Sequence, residues 1–359
     1  MSNRNFQKNF TINFSKTLLT WHQQDNKRVM PWKGEKDPYK IWVSEIILQQ
    51  TRVEQGLNYY NNFIKKYPTI QHLASANDDE VFKLWEGLGY YNRCKNLLFT
   101  AREISNNFNG IFPKDYHQII KLKGIGKYTA AAIASFAFDL PYAVLDGNVY
   151  RVLSRVFGIK TAIDTNTGKI LFENLSQQLL DKKNPALYNQ AIMDFGATIC
   201  RPKLPECEIC PFASDCLAYQ QNNISQYPIK EKKLKVQTRW MNYVIIKFYN
   251  QVLIRKRIAK DIWQNLHEFY LIENDLEEKN IDKLFFKKEL KNKFEKNKFE
   301  IKIISNQHQQ KLTHRIIKGY FVEVIFEQKI ETENYFWVDE KEITNYSFPN
   351  FINNYLIKH

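Results

Sequence analysis

Cysteine is scarce, with five residues in 359, and this excludes the disulfide-dense scaffolds of small secreted domains. Glycine (12) and proline (11) are also few; with 44% hydrophobic and 25% charged residues, the composition excludes collagen-like and disordered chains. Long apolar runs are missing. The longest near-apolar stretch, Tyr128 to Phe138, falls far short of the roughly 20 residues that a membrane-spanning helix needs, so no membrane partner is expected. The opening MSNRNFQKNF has no apolar core behind its charges, so it does not read as a signal peptide and a cytoplasmic protein is expected. No period of roughly 20 to 50 residues recurs, which excludes a solenoid. Acidic residues are the minority charge, 38 against 52 Lys and Arg, for a net +14. Such a surplus suits a nucleic-acid partner, because neutralising phosphates releases counterions. Taken alone, it suits a Lys- and Asn-rich composition equally well.

The length predicts two or three domains. Phe6, Phe10, Phe14, Leu18 and Trp21 recur at helical spacing. Further helical patterns run around Ile41 to Gln50, Val53 to Tyr67, Asn92 to Phe108, Tyr128 to Phe138, Asn148 to Phe157 and Pro185 to Ile199. Near Ile224 the character changes. NISQYPIKEKKLKVQ is polar and basic and reads as a linker, and WMNYVIIKFY, QVLIRKR, YFVEVIF and NYFWV read as strands. The lysine-crowded stretch from Asp282 to Lys302 reads as a solvated helix and loop. The expected organisation is an all-α region over 1–222, a linker over 223–238 and a smaller α+β domain over 239–359.

Four of the five cysteines fall in the pattern Cys200-x6-Cys207-x2-Cys210-x5-Cys216. Four thiolates so close can surround one tetrahedral zinc or one iron–sulfur cluster. Leu122-Lys123-Gly124-Ile125-Gly126-Lys127-Tyr128 leads into an alanine-rich helix; glycines at a helix start leave backbone N–H groups open to a phosphate, although the same string also makes an ordinary tight turn. Val144-Leu145-Asp146-Gly147-Asn148 opens another helix, which Asp146 can cap. Ile41-Trp42-Val43-Ser44-Glu45-Ile46-Ile47-Leu48-Gln49-Gln50-Thr51 places one carboxylate in an apolar helix. Desolvated there, Glu45 would gain a raised pKa and the means to act as general acid or base; on a wet face it would be an ordinary surface glutamate.

The complete cysteine spacing resembles the iron–sulfur (4Fe–4S) loop of the endonuclease III superfamily of DNA glycosylases, and the Gly124–Gly126 hairpin resembles that superfamily's helix–hairpin–helix DNA-binding element. WVSEIILQQT, with DPYKIWVSE before it and EGLGYYNRCKNL after it, resembles the MutY-type adenine DNA glycosylases, as does KDIWQNLHEF in the C-terminal part. The resemblance spans about Phe14 to Trp337 and is densest over 28–216. It implies an all-α helix–hairpin–helix glycosylase domain with an iron–sulfur loop, followed by an α+β Nudix-like domain that senses 8-oxoguanine. The implied substrate is double-stranded DNA carrying adenine opposite 8-oxoguanine or guanine, met by a monomer. Glu45 and Asp146 are implied to be catalytic and Tyr128 to orient them. Arg28, Trp32 and Lys33 are implied to form the adenine pocket, and Cys200, Cys207, Cys210 and Cys216 to hold the cluster. Gln50, Thr51, Tyr90, Gly124, Gly126, Thr313 and His314 are implied to meet DNA.

Several positions depart from the family pattern. Tyr128 stands where bifunctional relatives carry the Schiff-base lysine, and a phenol forms no imine, so a monofunctional enzyme is expected. Lys33 replaces a frequent arginine and Asp261 a usual glycine. Leu312-Thr313-His314 replaces Phe-Ser-His, keeping the hydroxyl and losing the ring. No Nudix hydrolase box is present, so binding without pyrophosphatase activity is expected. The competing readings are an endonuclease III-like glycosylase and lyase, and a non-catalytic DNA-binding protein.

Overall fold

The computed structural model describes residues 2–30, 32–231, 236–274 and 282–357, with side chains from residue 13 onward. Its contacts divide the chain into two compact units, Met1–Ser75 with Asn96–Lys233, and Ala76–Lys95 with Leu234–His359.

The first unit is helical. Side-chain caps set several helix starts. Asp37 caps Pro38–Leu48 by accepting from the Tyr39 N–H, Thr165 caps Asn166–Leu179, and Asp146 caps Gly147–Val156. Side-chain periodicity then decides the packing. Phe14, Leu18 and Trp21 from Ser2–Gln24 lie in one core with Val149, Val152 and Leu153 of Gly147–Val156 and Tyr188, Ile192 and Phe195 of Pro185–Thr198. The side chains of Phe6 and Phe10 lie outside the described residues. Residues 41 to 47 of Pro38–Leu48 are all buried, Glu45 included, so the wet-face alternative for this glutamate does not hold. The helix Asn166–Leu179 escaped the sequence reading, because its buried Phe172 and Leu179 are diluted by polar neighbours.

Among its described residues, the second unit holds a mixed nine-stranded sheet with an apolar core on each face. Gln237–Phe248 lies at its centre, antiparallel to Gln251–Lys256 and Tyr270–Asn274 and parallel to Arg315–Gly319 and Phe321–Phe326. Burial on both faces explains its continuous Val/Ile run, which a half-exposed strand would interrupt. Gly319 ends its strand against the centre of the sheet, where a Cβ would sit 1.9 Å from the Met241 carbonyl oxygen. The stretch read as a solvated helix and loop holds the helix Lys283–Lys293, with Phe286 and Leu290 buried, and then a strand, Phe299–Ile304. The lysines masked an inward-facing minority that packs on the sheet. In the segment read as a linker, Tyr227 is buried, Ile163 N–H donates to the Ile229 carbonyl at 3.0 Å, and Glu231 N–H donates to Asp164 Oδ1 at 3.0 Å.

Candidate active site

One large cavity, about 1100 Å³, opens in the first unit. Glu45, Tyr128, Asp146, Gln50, Thr51, Arg28, Trp32 and Lys33 all line it, so the structure brings together eight residues picked from four separate stretches of sequence.

The two carboxylates differ in surroundings. Glu45 projects from the buried stretch of Pro38–Leu48 and is 8% exposed. Burial pushes its pKa up to about 7; a hydrogen bond from Tyr128 opposes the shift and the nearby Asp146 adds to it. Asp146 is raised as well, again by burial, but more groups resist. Its Oδ1 accepts from the Val149 N–H at 2.8 Å, its Oδ2 accepts from Asn148 Nδ2 at 2.9 Å, and the Arg151 guanidinium is close enough to act on it. The helix cap thus also places an acceptor in the cavity. Tyr128 is partly buried; its hydroxyl oxygen lies 3.4 Å from Met193 Sδ, and burial followed by Glu45 and Asp146 holds it far above the usual phenol range.

Polar and sulfur-bearing cavity residues that the sequence reading did not pick include Asn148, His22, Gln190 and Met193. Behind them stands Asp194, with no exposed side-chain surface. Asp194 accepts from Arg28 Nη1 at 2.8 Å, Asn26 Nδ2 at 2.8 Å, Gln190 Nε2 at 3.0 Å and Lys33 Nζ at 3.4 Å. An aspartate in the helical run Met193-Asp194-Phe195 was the available signal. Burial of a charge there requires several partners.

Gly147–Val156 also reaches the cysteine loop. Arg155 Nη1 lies 3.5 Å from Cys200 Sγ and donates to the Arg201 carbonyl at 2.7 Å, while Arg151 Nε donates to the Cys200 carbonyl at 2.8 Å. All four cysteines line one apolar cavity of about 20 Å³. Among the described residues no three His, Cys, Asp or Glu gather as a single-ion site. Four half-buried thiols facing a common space, with a guanidinium against one sulfur, suit a group that each thiolate grips at a separate corner.

The remaining sites stand elsewhere. Gly124 sits at φ +80°, and a Cβ there would lie 2.6 Å from Asn96 Cβ. Gly126 caps Lys127–Phe138 without a side-chain hydrogen bond, and the space over it is open. Gln50 and Tyr90 occupy left-handed backbone at φ 57° and 50°, a region that non-glycine residues adopt uncommonly. Tyr90, Thr313 and His314 belong to the second unit and are exposed.

Comparison with known proteins decides the family. Residues 43–183 match the HhH-GPD superfamily of base excision DNA repair proteins, and residues 242–358 match the NUDIX domain. The adenine DNA glycosylase of Buchnera aphidicola subsp. Schizaphis graminum is 40% identical over 256 residues, covering 71% of this chain and 74% of that protein. The chain belongs to the adenine DNA glycosylase family. This makes it a DNA glycosylase, a hydrolase of base excision repair whose partner is DNA. The mouse adenine DNA glycosylase is 42% identical over 217 residues, covering 58% of this chain and 42% of that protein. Among solved structures, a thermostable thymine-DNA glycosylase matches with a TM-score of 0.56 at 31% identity, over 61% of this chain and all (100%) of that one. An endonuclease III–DNA complex matches with a TM-score of 0.50 at 19% identity, over 60% of this chain and 97% of that one, which shows a shared fold for the helical unit. Within the described residues no helix is long and apolar enough to cross a membrane.

Proposed function

We propose that this glycosylase removes adenine opposite 8-oxoguanine, and opposite guanine, by protonating the extruded base and hydrolysing its N-glycosidic bond. The observation that carries this reading is the pair Glu45 and Asp146, two carboxyls in one cavity with different means of keeping a proton. A base stacked in duplex DNA must swing out to be reached, and the cavity has room for it. Adenine leaves poorly as an anion. Glu45, half protonated near pH 7, delivers a proton to N7 so that the base departs neutral as the C1′–N9 bond breaks. Positive charge then develops on the sugar. Asp146, held by two hydrogen bonds and near Arg151, is the better equipped of the pair to stay ionised, and it stabilises that charge. Tyr128 orients Glu45 by hydrogen bonding. Glu45, now a carboxylate, accepts a proton from the water that attacks C1′, which restores the acid. Arg28, Trp32 and Lys33 form the wall around the base.

Gln50 and Thr51, Tyr90, the open helix start at Gly124 and Gly126, and the exposed Thr313 and His314 are the proposed DNA contacts, Thr313 and His314 reading the oxidised guanine. A lyase reading is disfavoured because Lys127, the lysine beside Tyr128, pairs with both oxygens of Glu173 at 2.8 and 2.9 Å and does not line the cavity. Cys200, Cys207, Cys210 and Cys216 would hold the iron–sulfur cluster. When bound, it supplies a covalent clamp on the loop and a centre capable of electron transfer, neither of which the hydrolysis consumes. Single-turnover cleavage of a duplex with one adenine opposite 8-oxoguanine tests the reading: release of free adenine without strand scission or borohydride-trapped adduct supports it, and intact purines after incubation with folded protein overturn it.

A further inference from the structure

We propose that Asp261 is a positioning residue for the turn Leu312-Thr313-His314, and through it a determinant of how the base opposite adenine is read. The proposal rests on the reading that this turn meets the oxidised guanine.

Where the family resemblance has glycine, this chain has a carboxylate, and that carboxylate collects three guanidiniums. Arg239 Nη1 lies 2.8 Å from Oδ1, Arg315 Nη1 lies 3.2 Å from Oδ1, and Arg257 Nη2 lies 3.0 Å from Oδ2. The three arginines come from different places: the start of the central strand, the residue after Gln251–Lys256, and the first residue of Arg315–Gly319. Arg239 also has Glu273 as a partner, at 2.6 Å, and Arg257 has Glu268, at 2.5 Å. Among the described residues Arg315 has Asp261 as its ion-pair partner and no second carboxylate.

Arg315 directly follows His314. The Leu312 N–H donates to the Arg315 carbonyl at 2.7 Å, closing the turn, and the Gln237 N–H donates to the His314 carbonyl at 3.1 Å. Backbone bonds therefore fix the base of the turn, while the Arg315 side chain fixes its first strand residue to the loop carrying Asp261. That loop is itself held. Trp263 and Asn265 sit at φ 61° and 72°, Arg257 Nε donates to the Ile262 carbonyl at 3.1 Å, and the Asn265 N–H donates to the Arg257 carbonyl at 2.8 Å. Lys95 Nζ, near Tyr90 in sequence, donates to Gln264 Oε1 at 3.0 Å. The Asp261 carboxyl stays below the usual range: burial works against its charge, but the Arg239 hydrogen bond, the Ile262 N–H and the guanidiniums outweigh it. Asp261 is thus a charged strut between a braced loop and the turn that presents Thr313 and His314.

The test uses the full chain and compares single-turnover cleavage of adenine opposite 8-oxoguanine with cleavage opposite guanine. Asp261→Gly and Asp261→Asn should each lower the ratio of the two rates, roughly three- to tenfold, the scale of one charge-assisted bond lost at a partly exposed site. Arg315→Gln should lower it to a similar extent. Asp261→Asn with Arg315→Gln should add little to either alone, because both break the same contact. Asp261→Glu should recover part of the ratio. If Asp261→Gly fails to fold, the near-isosteric Asp261→Asn decides. An unchanged ratio in Asp261→Asn, or both rates falling in equal proportion, overturns the proposal. A wild-type enzyme with no preference between the two duplexes overturns the underlying reading instead.

Discussion

The hydroxyl of Tyr90 lies 2.7 Å from that of Thr313, a hydrogen bond across 223 positions of sequence. Tyr90 is 48% exposed and sits on left-handed backbone, so core packing does not explain its placement. The bond joins an aromatic ring suited to entering a base stack to the hydroxyl proposed to read the oxidised base. Removing either hydroxyl, by Tyr90→Phe or Thr313→Val, should weaken discrimination between 8-oxoguanine and guanine. The two changes should be non-additive by about 1 kcal/mol or less, as expected of an exposed neutral hydrogen bond. A double-mutant cycle on single-turnover rates measures this.

Glu45→Gln should abolish adenine release while DNA binding persists, read by product formation and by gel shift. In the wild type the single-turnover rate should fall about tenfold per pH unit above about 7, where the acid form is lost. The same group bears on stability. Its folded pKa is raised from 4.5 to about 7, so the folded state binds more protons between these values and stability declines as pH rises through that window. Glu45→Gln, which cannot ionise, should remove this decline, up to about 3 kcal/mol, and should melt above the wild type at pH 8 but not at pH 4.5.

Asp146→Asn should slow cleavage by several orders of magnitude, the scale of losing a main electrostatic stabiliser. It should change stability by no more than about 1 kcal/mol, since an amide oxygen can still accept from the Val149 N–H and cap the helix. Loss of rate with retained melting temperature separates the chemical role from the capping role.

Asp194→Asn leaves Arg28 and Lys33 facing a neutral amide. Breaking a buried pair by removing one partner should destabilise the protein by about 3 kcal/mol. Because Arg28 and Lys33 line the cavity while Asp194 stands behind it, KM should rise more than kcat falls. Steady-state kinetics and thermal melting together check this; a kcat loss at constant KM would place Asp194 in the chemistry itself.

The purified protein should be yellow-brown, with a broad absorbance near about 400 nm from thiolate-to-iron transitions. Cys207→Ser should diminish that band and lower the melting temperature. A colourless protein holding one zinc per chain would overturn the cluster.

Much of the site was legible from residue type and spacing. The four cysteines announced a ligand set because thiolates so close together in sequence are close in any fold, and helix periodicity fixed the segment before them. Glu45 stood out because a carboxylate in an apolar run needs a reason. Asp194 and Asn148 did not, because each is ordinary in its own helix and gains meaning from Arg28, Lys33 or Asp146 brought in from elsewhere. The strand Phe299–Ile304, with Ile301 buried, was hidden for a related reason: its lysine-rich surroundings describe the wet side, while pairing with Phe321–Phe326 depends on a partner more than a dozen residues away.

The sequence by itself determined most of the longer helices, the cap at Asp146 and the chemical kinds of group available, since these depend on periodicity and on interactions between near neighbours. Tertiary structure decided which carboxyl would hold a proton near neutrality, which charged groups would share Asp194 and Asp261, and that Tyr90 would meet Thr313. Those outcomes depend on desolvation and on distances between groups far apart along the chain, and both come into being only when the chain closes around them.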